Sequence, residues 1–231
     1  MTRGAFIVID GLDGSGKATQ TRMLAKRLEQ EGLASEHLDF PRYEGNFFGA
    51  FIGECLAGRH GDFLHLDPKI ASTLYALDRQ ESSPQIEAWR EAGRIVLADR
   101  FVSSNQIHQG GKIADESERT AFLTWLEKME HEVLGIPRPD AVIYLRVSPE
   151  TTLALLAEKR EAKNSSLGGS DKDQVESDRS YVDQSYACAS WLARTQPSWQ
   201  TIDCMEGDSI RSPESIHEDV FVAVSALAGK R

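Results

Sequence analysis

The sequence is poor in cysteine, and the few cysteines match no bridged or metal-bound pattern. Cys55, Cys188 and Cys204 are odd in number and widely separated. Zinc sites and disulfide frameworks use paired cysteines at short, regular spacings, so the sequence predicts neither. We therefore expect free thiols and a reducing location, the cytoplasm.

Long apolar runs are also absent. No segment approaches the roughly 20 apolar residues that a helix needs to cross a bilayer. The opening residues, MTRGAFIVID, lead into a strand and a glycine-rich loop too early to form a cleavable signal peptide. The sequence predicts no membrane segment and a mature chain that begins near Met1.

Basic residues are outnumbered by acidic ones. The 26 lysines and arginines and the 36 aspartates and glutamates give a formal charge of −10. Broad binding to nucleic acid or to acidic membranes requires an excess of positive charge, so the composition argues against both partners. A few clustered arginines can still bind one small anion.

The remaining composition is that of an ordinary folded domain. Apolar residues make up 40% of the chain and charged residues 27%, which argues against disorder. The length of 231 residues predicts one domain, residues 1–231. There is no internal repeat, and the only low-complexity segment, KNSSLGGSDKD at residues 163–173, predicts a surface loop.

Apolar segments alternate with helical patterns along the chain. Apolar segments at residues 5–10, 36–40, 94–100 and 141–147, and a weaker one at 200–204, predict buried parallel strands. Apolar periodicity predicts the helices 17–30, 68–80, 116–134, 149–159, 176–193 and 213–227. This alternation predicts an α/β fold, a five-stranded parallel sheet with helices on both faces. Its ligands gather beyond the carboxyl ends of the strands, where Gly11, Phe40 and Asp99 converge.

Four prolines stand directly after residues that cap helices. The pairs are Asp67-Pro68, Ser83-Pro84, Ser148-Pro149 and Ser212-Pro213. Aspartate and serine accept hydrogen bonds from first-turn amides, and proline suits the first helical position. Each pair predicts a helix start. Phe122, Leu123, Leu126 and Met129 recur at helical spacing and fit the core better than an interface.

The segment GLDGSGK, residues 11–17, follows the first predicted strand and precedes a helix. Such a loop turns its backbone amides toward phosphates, and its lysine reaches the outer phosphates. A glycine turn without a nucleotide role is the simpler alternative, but the flanking strand and helix argue against it. The predicted phosphate-binding residues are Gly11, Asp13, Gly14, Ser15, Gly16, Lys17, Ala18 and Thr19.

Ala18 occupies the position at which such loops carry a hydroxyl that binds Mg²⁺. Thr19 does not replace it, because one step along a helix rotates a side chain by about 100°. Mg²⁺ commonly retains several waters, so the carboxylates of Asp13 and Asp99 are the predicted metal ligands.

Two further strand ends carry arginine. FPRY places Arg42 after the second strand, and DRF places Arg100 after the third. Guanidinium groups bind phosphate through two parallel hydrogen bonds, so together with the glycine-rich loop these arginines predict a second phosphate site. Taken singly, each arginine fits a structural role slightly better than a catalytic one.

At these motifs the sequence resembles the thymidylate kinase family of P-loop nucleoside monophosphate kinases. The matching segments are IDGLDGSGKATQ, FPRY, LYALDR, LADRFVSSNQIHQGG and GIPRPDAVIYLRV, in the family's order, and the resemblance extends from residue 5 to about 193. It implies a three-layer P-loop kinase sandwich with a small lid. It also implies transfer of the γ-phosphoryl group of ATP to dTMP with Mg²⁺, by a homodimer.

The resemblance also implies roles for individual residues. Lys17 and the loop amides hold ATP phosphates, while Arg42 and Arg100 orient the dTMP phosphate and compensate developing charge. Asp13 and Asp99 organise metal, water and the acceptor. The acceptor site comprises Asp13, Phe40, Arg42, Tyr43, Tyr75, Arg79, Arg100, Ser104, Asn105 and His108.

Tyr75 and Arg79 are implied to stack on thymine and to bind its carbonyl edge. Their spacing of four places both on one helical face, so the ring and the guanidinium can address one base. The alternative is a core tyrosine and an arginine paired with Asp78 or Glu81. His108 is implied to gate the deoxyribose, or it is a hydrogen-bonded loop residue.

The lid is implied at about residues 159–173. The phosphate loop contains no arginine, so the resemblance implies catalytic charge from the lid, first Arg160 and then Lys163. A tolerated surface insertion is the alternative for the glycine- and serine-rich part. Glu176 approaches the metal or simply begins the next helix.

Two other functions remain open at this point. One is a kinase for another nucleotide or deoxynucleoside, which would keep the donor loop and change the acceptor pocket. The other is a regulatory nucleotide-binding module without catalysis, as Ala18 suggests. Residues for both donor and acceptor are present, whereas a sensor needs only one side.

Overall fold

The computed structural model describes residues 3–167 and 179–228, and the side chains of residues 159–167 and 228 are not described. The strands are β1 (Phe6–Gly11), β2 (Ser35–Asp39), β3 (Ile95–Asp99), β4 (Ala141–Arg146), β5 (Trp199–Asp203), β6 (Met205–Glu206) and β7 (Ser209–Ile210). The α-helices are α1 (Lys17–Gln30), α2 (Phe47–Leu56), α3 (Pro68–Glu91), α4 (Val102–Gly111), α5 (Glu116–Glu127), α6 (Pro149–Leu167), α7 (Arg179–Thr195) and α8 (Pro213–Ala228). A π-helix, Lys128–Val133, continues α5.

Five strands form one parallel sheet in the order β2-β3-β1-β4-β5. The register pairs Ile9 with Asp99 and Asp99 with Asp39, so the carboxyl ends of β1, β2 and β3 lie side by side. This arrangement confirms the predicted sheet and the predicted convergence of its strand ends. β1 lies between β3 and β4, and the strands that follow it in the chain are placed first on one side of it and then on the other. α/β sheets bind ligands at the point where the strand order reverses in this way.

Each face of the sheet carries its own hydrophobic core. Phe6 and Val8 face a core completed by α3, α4, α5 and α7, whereas Ile7 and Ile9 face a core completed by α1 and α8. Adjacent residues of a strand point to opposite faces, so a strand buried on both sides reads as a continuous apolar run. The helices therefore form two outer layers, as predicted.

The five predicted strands agree with the structure to within one or two residues. The helix predicted at 17–30 has those bounds, while the predictions at 68–80 and 149–159 end too early. Helices α2 and α4 and the β6–β7 hairpin were not predicted. α4 is short and is buried on most sides, so its sequence lacks the amphipathic stripe that identifies a surface helix.

Three of the four predicted caps are confirmed. Asp67 Oδ1 accepts a hydrogen bond from the amide of Lys69 at 2.8 Å. Ser148 Oγ accepts one from the amide of Thr151 at 3.2 Å, and Ser212 Oγ accepts one from the amide of Ser215 at 3.2 Å. These bonds satisfy first-turn amides that have no partner within their helices.

The helix start predicted at Ser83-Pro84 is wrong. α3 continues through Pro84 to Glu91, with Ser83, Ile86 and Arg90 buried along one side. Pro84 has no N–H, so the carbonyl of Gln80 loses its helical partner. Both residues are exposed, and water can therefore bind that carbonyl. Packing of the buried side outweighs the proline penalty of about 3 kcal/mol.

The helix predicted at 116–134 changes its hydrogen-bond pattern after Glu127. Phe122, Leu123 and Leu126 are buried and Met129 packs against the same core, which confirms the core assignment. The π-helical turn that follows turns Glu130 into the protein, where its side chain is fully buried. π-helical turns are rare and are enriched at functional sites.

The three cysteines are buried free thiols. Burial raises the pKa of Cys188 to about 11 and that of Cys204 to about 12, so these thiols are unreactive at neutral pH. Within residues 3–167 and 179–228, no helix is both long and apolar enough to cross a membrane.

Candidate active site

The glycine-rich loop between β1 and α1 has the backbone shape of an anion cradle. Gly14 and Gly16 have φ angles of 83° and 90°, which residues with a side chain rarely adopt. No side chain caps α1, so its first amides remain available to a ligand. Lys17 Nζ donates to the carbonyls of Gly11 at 3.1 Å and Leu12 at 2.9 Å, which holds its ammonium group over the loop.

Two residues of the loop bear on its ligand. Ser15 Oγ is buried and has no hydrogen-bond partner among the described residues, so it is available to a bound group. Ala18 is exposed on the first turn of α1, and Thr19, beside it, is half-buried. The structure therefore leaves the position of the usual hydroxyl open to solvent.

Asp13 and Arg100 form an ion pair between the loop and the end of β3. Lys17 Nζ lies 3.8 Å from Asp13 Oδ1, so one carboxylate faces two cations. Burial opposes ionisation of Asp13, but Arg100 and Lys17 hold its pKa well below its usual range. Burial and the charge of Arg100 lower the pKa of Lys17. Asp13 is thus anionic at neutral pH and bridges the two elements that the sequence predicts to bind phosphate.

Arg100 has an unusual backbone conformation. Its φ of 66° lies in the left-handed region, and it is the one described residue other than glycine with a positive φ. Its amide donates to Ile9 O at 3.0 Å, which continues the sheet pairing at the turn. A strained backbone that is held by its surroundings is typical of functional sites. Here the turn directs the guanidinium back over β1 to Asp13.

Asp10 was not predicted as a site residue. Its carboxylate is fully buried and accepts hydrogen bonds from Ser103 Oγ at 2.5 Å, from Ser104 Oγ at 2.9 Å and from the amide of Gly11. These bonds join the phosphate loop to the first turn of α4. A buried carboxylate at the end of an apolar strand was the available signal.

Asp99 lies at the end of β3, and its carboxylate interacts electrostatically with Lys17 and Arg100. Burial raises the pKa of Asp99, and the two cations only partly offset this effect. Because its carboxylate forms no ion pair with another described residue, Asp99 is the more available of the two predicted metal ligands. The described residues contain no cluster of three metal-binding side chains.

A cavity of about 220 Å³ lies beyond the carboxyl ends of β1, β2 and β3. Its lining includes nine of the ten predicted acceptor residues, namely Asp13, Phe40, Tyr43, Tyr75, Arg79, Arg100, Ser104, Asn105 and His108. These nine residues come from four separate segments of the chain and meet in one pocket. Tyr75 lies against Phe63, with ring centroids 5.8 Å apart.

Arg42 does not line this cavity. Its Nη1 donates to Ser82 Oγ at 3.4 Å, and its amide donates to Asp78 Oδ2 at 3.1 Å. The side chain also lies against Gly45, where a Cβ atom would approach its guanidinium to 3.0 Å. The structure thus holds Arg42 beside α3, at the margin of the site. Of these two arginines, it brings Arg100 to the phosphate loop.

Arg79 has neither of the two partners weighed from the sequence. Asp78 binds Asn46 and the Arg42 amide, and Glu81 accepts hydrogen bonds from the amides of Phe47 and Phe48. Arg79 pairs instead with Glu130, on the π-helix. A partner 51 residues away gives no local signal in the sequence.

His108 lies within α4, so its assignment to a loop is wrong. Arg100 Nη1 donates to Nε2 at 3.2 Å, Nδ1 lies 3.4 Å from Ser185 Oγ, and the ring stacks on Tyr181 at 5.7 Å. Burial, followed by the charge of Arg100, lowers the pKa of His108 to about 4. The imidazole is therefore neutral and accepts from Arg100 through Nε2.

Three polar residues of the cavity lining were not predicted from the sequence. Gln109 lines the cavity, and its Oε1 is buried without a hydrogen-bond partner among the described residues. Tyr181 comes from α7, and Lys112 donates to Leu64 O at 2.6 Å. Gln109 and Lys112 follow His108 closely in the sequence, which was an available signal, whereas Tyr181 reaches the pocket only through the packing of α7 on α4.

The side chains of the predicted lid, at about residues 159–173, all lie outside the described part of the chain. The backbone of α6 includes Arg160 and Lys163, but their side chains are not described. Glu176 also lies outside the described residues.

Comparison with known proteins identifies one family. The family described as thymidylate kinase matches residues 9–212. The thymidylate kinase of Mycobacterium tuberculosis (strain H37Rv) is 32% identical over 145 residues, which cover 63% of this chain and 67% of that protein. The thymidylate kinase of Homo sapiens is 26% identical over 221 residues, which cover 95% and 89%.

Among solved structures, a thymidylate kinase from Candida albicans has a similar fold. The TM-score is 0.71 at 20% identity, and the match covers 97% of this chain and 92% of that one. At this identity the likeness bears on the fold, and it supports the α/β arrangement of sheet and helices described above.

His108 gives a prediction for stability against pH. Its pKa is about 4 in the folded chain against a reference of 6.5, so below pH 6.5 the unfolded chain binds the proton more readily. Stability should therefore fall between pH 6.5 and about 4, by up to about 3 kcal/mol from this residue.

A His108→Gln variant should lose this component. Urea unfolding of both proteins at pH 7 and at pH 4.5 would measure it, because carboxylate effects common to both chains cancel in the difference. Equal pH dependence in the two proteins would contradict the assignment.

Proposed function

This chain belongs to the thymidylate kinase family, and from that premise we propose that its site transfers the γ-phosphoryl group of ATP to dTMP, giving dTDP and ADP. The observation that carries the proposal is the ion pair of Asp13 with Arg100, which joins the donor loop to the acceptor cavity. The relatives favour neither a kinase for another nucleotide nor a catalytically inactive module.

The donor phosphates bind at the loop of residues 11–17. The free amides at the start of α1 and the ammonium group of Lys17 supply positive charge, and Ser15 Oγ supplies an unused hydrogen-bonding group. Lys17 is already directed over the loop by two carbonyls, so little reorganisation is needed when ATP binds.

The acceptor dTMP binds in the cavity. Tyr75 offers a ring for the thymine to stack on, while Arg79 and Asn105 offer polar groups to its edge. Arg100 and Ser104 also line the pocket, and Arg100 pairs with Asp13 of the donor loop, so the 5′-phosphate would bind beside them. Arg42 completes this phosphate site from the margin once the nucleotide is bound.

Phosphoryl transfer requires alignment of two anions and compensation of their charge, and no covalent nucleophile. The acceptor phosphate is largely ionised near neutral pH, because its second pKa is about 6. Asp13 is not suited to remove a proton, since its pKa is far below neutral. We therefore assign Asp13 to orienting Arg100 and assign no general base.

We propose that Mg²⁺ accompanies ATP. The available ligands fit this ion, because Mg²⁺ usually binds one or two carboxylates, several waters and the substrate phosphates. Asp99 and Asp13 would hold it, and the open position at Ala18 leaves room for water. The ion would neutralise charge on the donor phosphates.

We also propose that the chain is one domain with a lid at about residues 159–173, from which Arg160 adds charge in the transition state. An Arg160→Ala variant should then turn over more slowly at saturating substrates.

The resemblance to the family further supports a cytoplasmic homodimer. Sedimentation equilibrium would measure the mass of the assembly.

An acceptor panel tests the function. ADP production is measured with dTMP, dUMP, AMP, CMP and GMP at constant ATP and Mg²⁺. The value of kcat/KM should be highest for dTMP. Lys17→Met should lower kcat on the order of a hundredfold, because it removes a charge used at the transferred phosphate. A lower rate for dTMP than for the other acceptors would exclude the assignment.

Metal dependence tests the ligand assignment. Asp99→Asn should raise the Mg²⁺ concentration for half-maximal rate on the order of tenfold, because it removes a charged ligand. Ala18→Ser should lower that concentration by adding an oxygen ligand. The rate of both variants should be measured against Mg²⁺ concentration at fixed ATP and dTMP. An unchanged half-maximal Mg²⁺ concentration in both variants would exclude a role of these positions in metal binding.

A further inference from the structure

Glu130 is a buried carboxylate at the base of the acceptor pocket. It lies on the π-helical turn Lys128–Val133, its side chain is fully buried, and it does not itself line the cavity. Two residues that do line the cavity, Arg79 and Asn105, both donate hydrogen bonds to it.

The contact with Arg79 fixes the plane of the guanidinium. Nε donates to Oε2 at 2.8 Å and Nη2 donates to Oε1 at 2.6 Å, in the two-point geometry that suits a carboxylate. Nη1 donates to Phe101 O at 3.3 Å. A guanidinium carries five N–H donors, so two remain for a ligand, and Arg79 can present only donors to the cavity.

The contact with Asn105 fixes which end of its amide faces the pocket. Nδ2 lies 3.1 Å from Glu130 Oε1 and 3.2 Å from Ser72 O. Both neighbours are acceptors, so the NH₂ group must point toward them and uses both of its hydrogens there. Oδ1 is left as the polar atom that Asn105 can offer to a ligand, and it is an acceptor.

We propose that Glu130 is a positioning residue that sets the hydrogen-bond polarity of the acceptor pocket and thereby selects a thymine-type base over cytosine. This inference rests on the function proposed above. Thymine offers an acceptor at O4 beside a donor at N3–H, which complements a donor from Arg79 and an acceptor from Asn105. Cytosine offers a donor at N4 and an acceptor at N3, so both contacts would be mismatched.

Stability alone does not account for a carboxylate at this place. Desolvation of two buried charges offsets much of their attraction, and apolar side chains of similar volume often fill such a site as well. Glu130 also accepts from Asn105, a contact that the ion pair with Arg79 does not require. Its shared contact with two cavity residues fits a role in the pocket.

The test compares Glu130→Gln with a matched control, Glu127→Gln. Glu127 lies at the end of α5 and pairs with Arg138 and His131, away from the cavity. A glutamine at 130 presents an NH₂ group to Arg79 or Asn105, so Ser72 O holds the orientation of the Asn105 amide with less support.

For Glu130→Gln we expect the ratio of kcat/KM for dTMP to that for dCMP to fall on the order of tenfold or more. The KM and the calorimetric Kd for dTMP should rise, while kcat at saturating dTMP changes little, because Glu130 contacts none of the groups that act on phosphate. Glu127→Gln should match the unsubstituted chain in all of these values.

A folded Glu130→Gln variant with an unchanged dTMP to dCMP ratio would overturn the proposal, whether or not its melting temperature falls. If that variant does not fold, Glu130→Asp keeps the charge and withdraws it by one methylene. It should raise the KM for dTMP, and an unchanged KM would overturn the proposal. Failure of the unsubstituted chain to phosphorylate dTMP would overturn the function itself, and this inference with it.

Discussion

The ion pair between Asp13 and Arg100 is the contact on which the site depends. It fastens the glycine-rich loop after β1 to the turn after β3, and so sets the distance between the proposed donor site and the proposed acceptor cavity. Two like-charged phosphates must approach one another for transfer, and the cations that permit this must be in place beforehand. Asp13 holds both Arg100 and Lys17 within reach, and its strongly lowered pKa keeps it charged while it does so.

The parallel sheet makes this contact possible. The register of β1, β2 and β3 brings their carboxyl ends to one edge, and β1 lies at the point where the chain reverses direction across the sheet. Arg100 accepts a left-handed backbone to aim its side chain across that edge. Such strain persists only where the surroundings hold it, here through the sheet bond to Ile9 and the ion pair to Asp13.

A second layer of buried polar groups supports the residues that face the ligands. Asp10 ties the phosphate loop to Ser103 and Ser104, and Glu130 ties Arg79 to Asn105. Satisfied networks of this kind are rigid, because each member would lose its partner if another moved. The acceptor pocket is therefore shaped by groups that do not face its ligand.

Local pattern in the sequence was enough to predict the five strands, most helices and the phosphate loop, because strand burial, glycine turns and helix caps leave short-range signals. The resemblance of its motifs to the thymidylate kinase family predicted nine of the residues that line the cavity. Only the tertiary structure decided that α3 passes through Pro84, that Arg42 stays at the margin, and that Arg79 pairs with Glu130 rather than with a neighbour. These outcomes depend on packing and on charge pairs between distant segments, and such interactions leave no periodic trace along the chain.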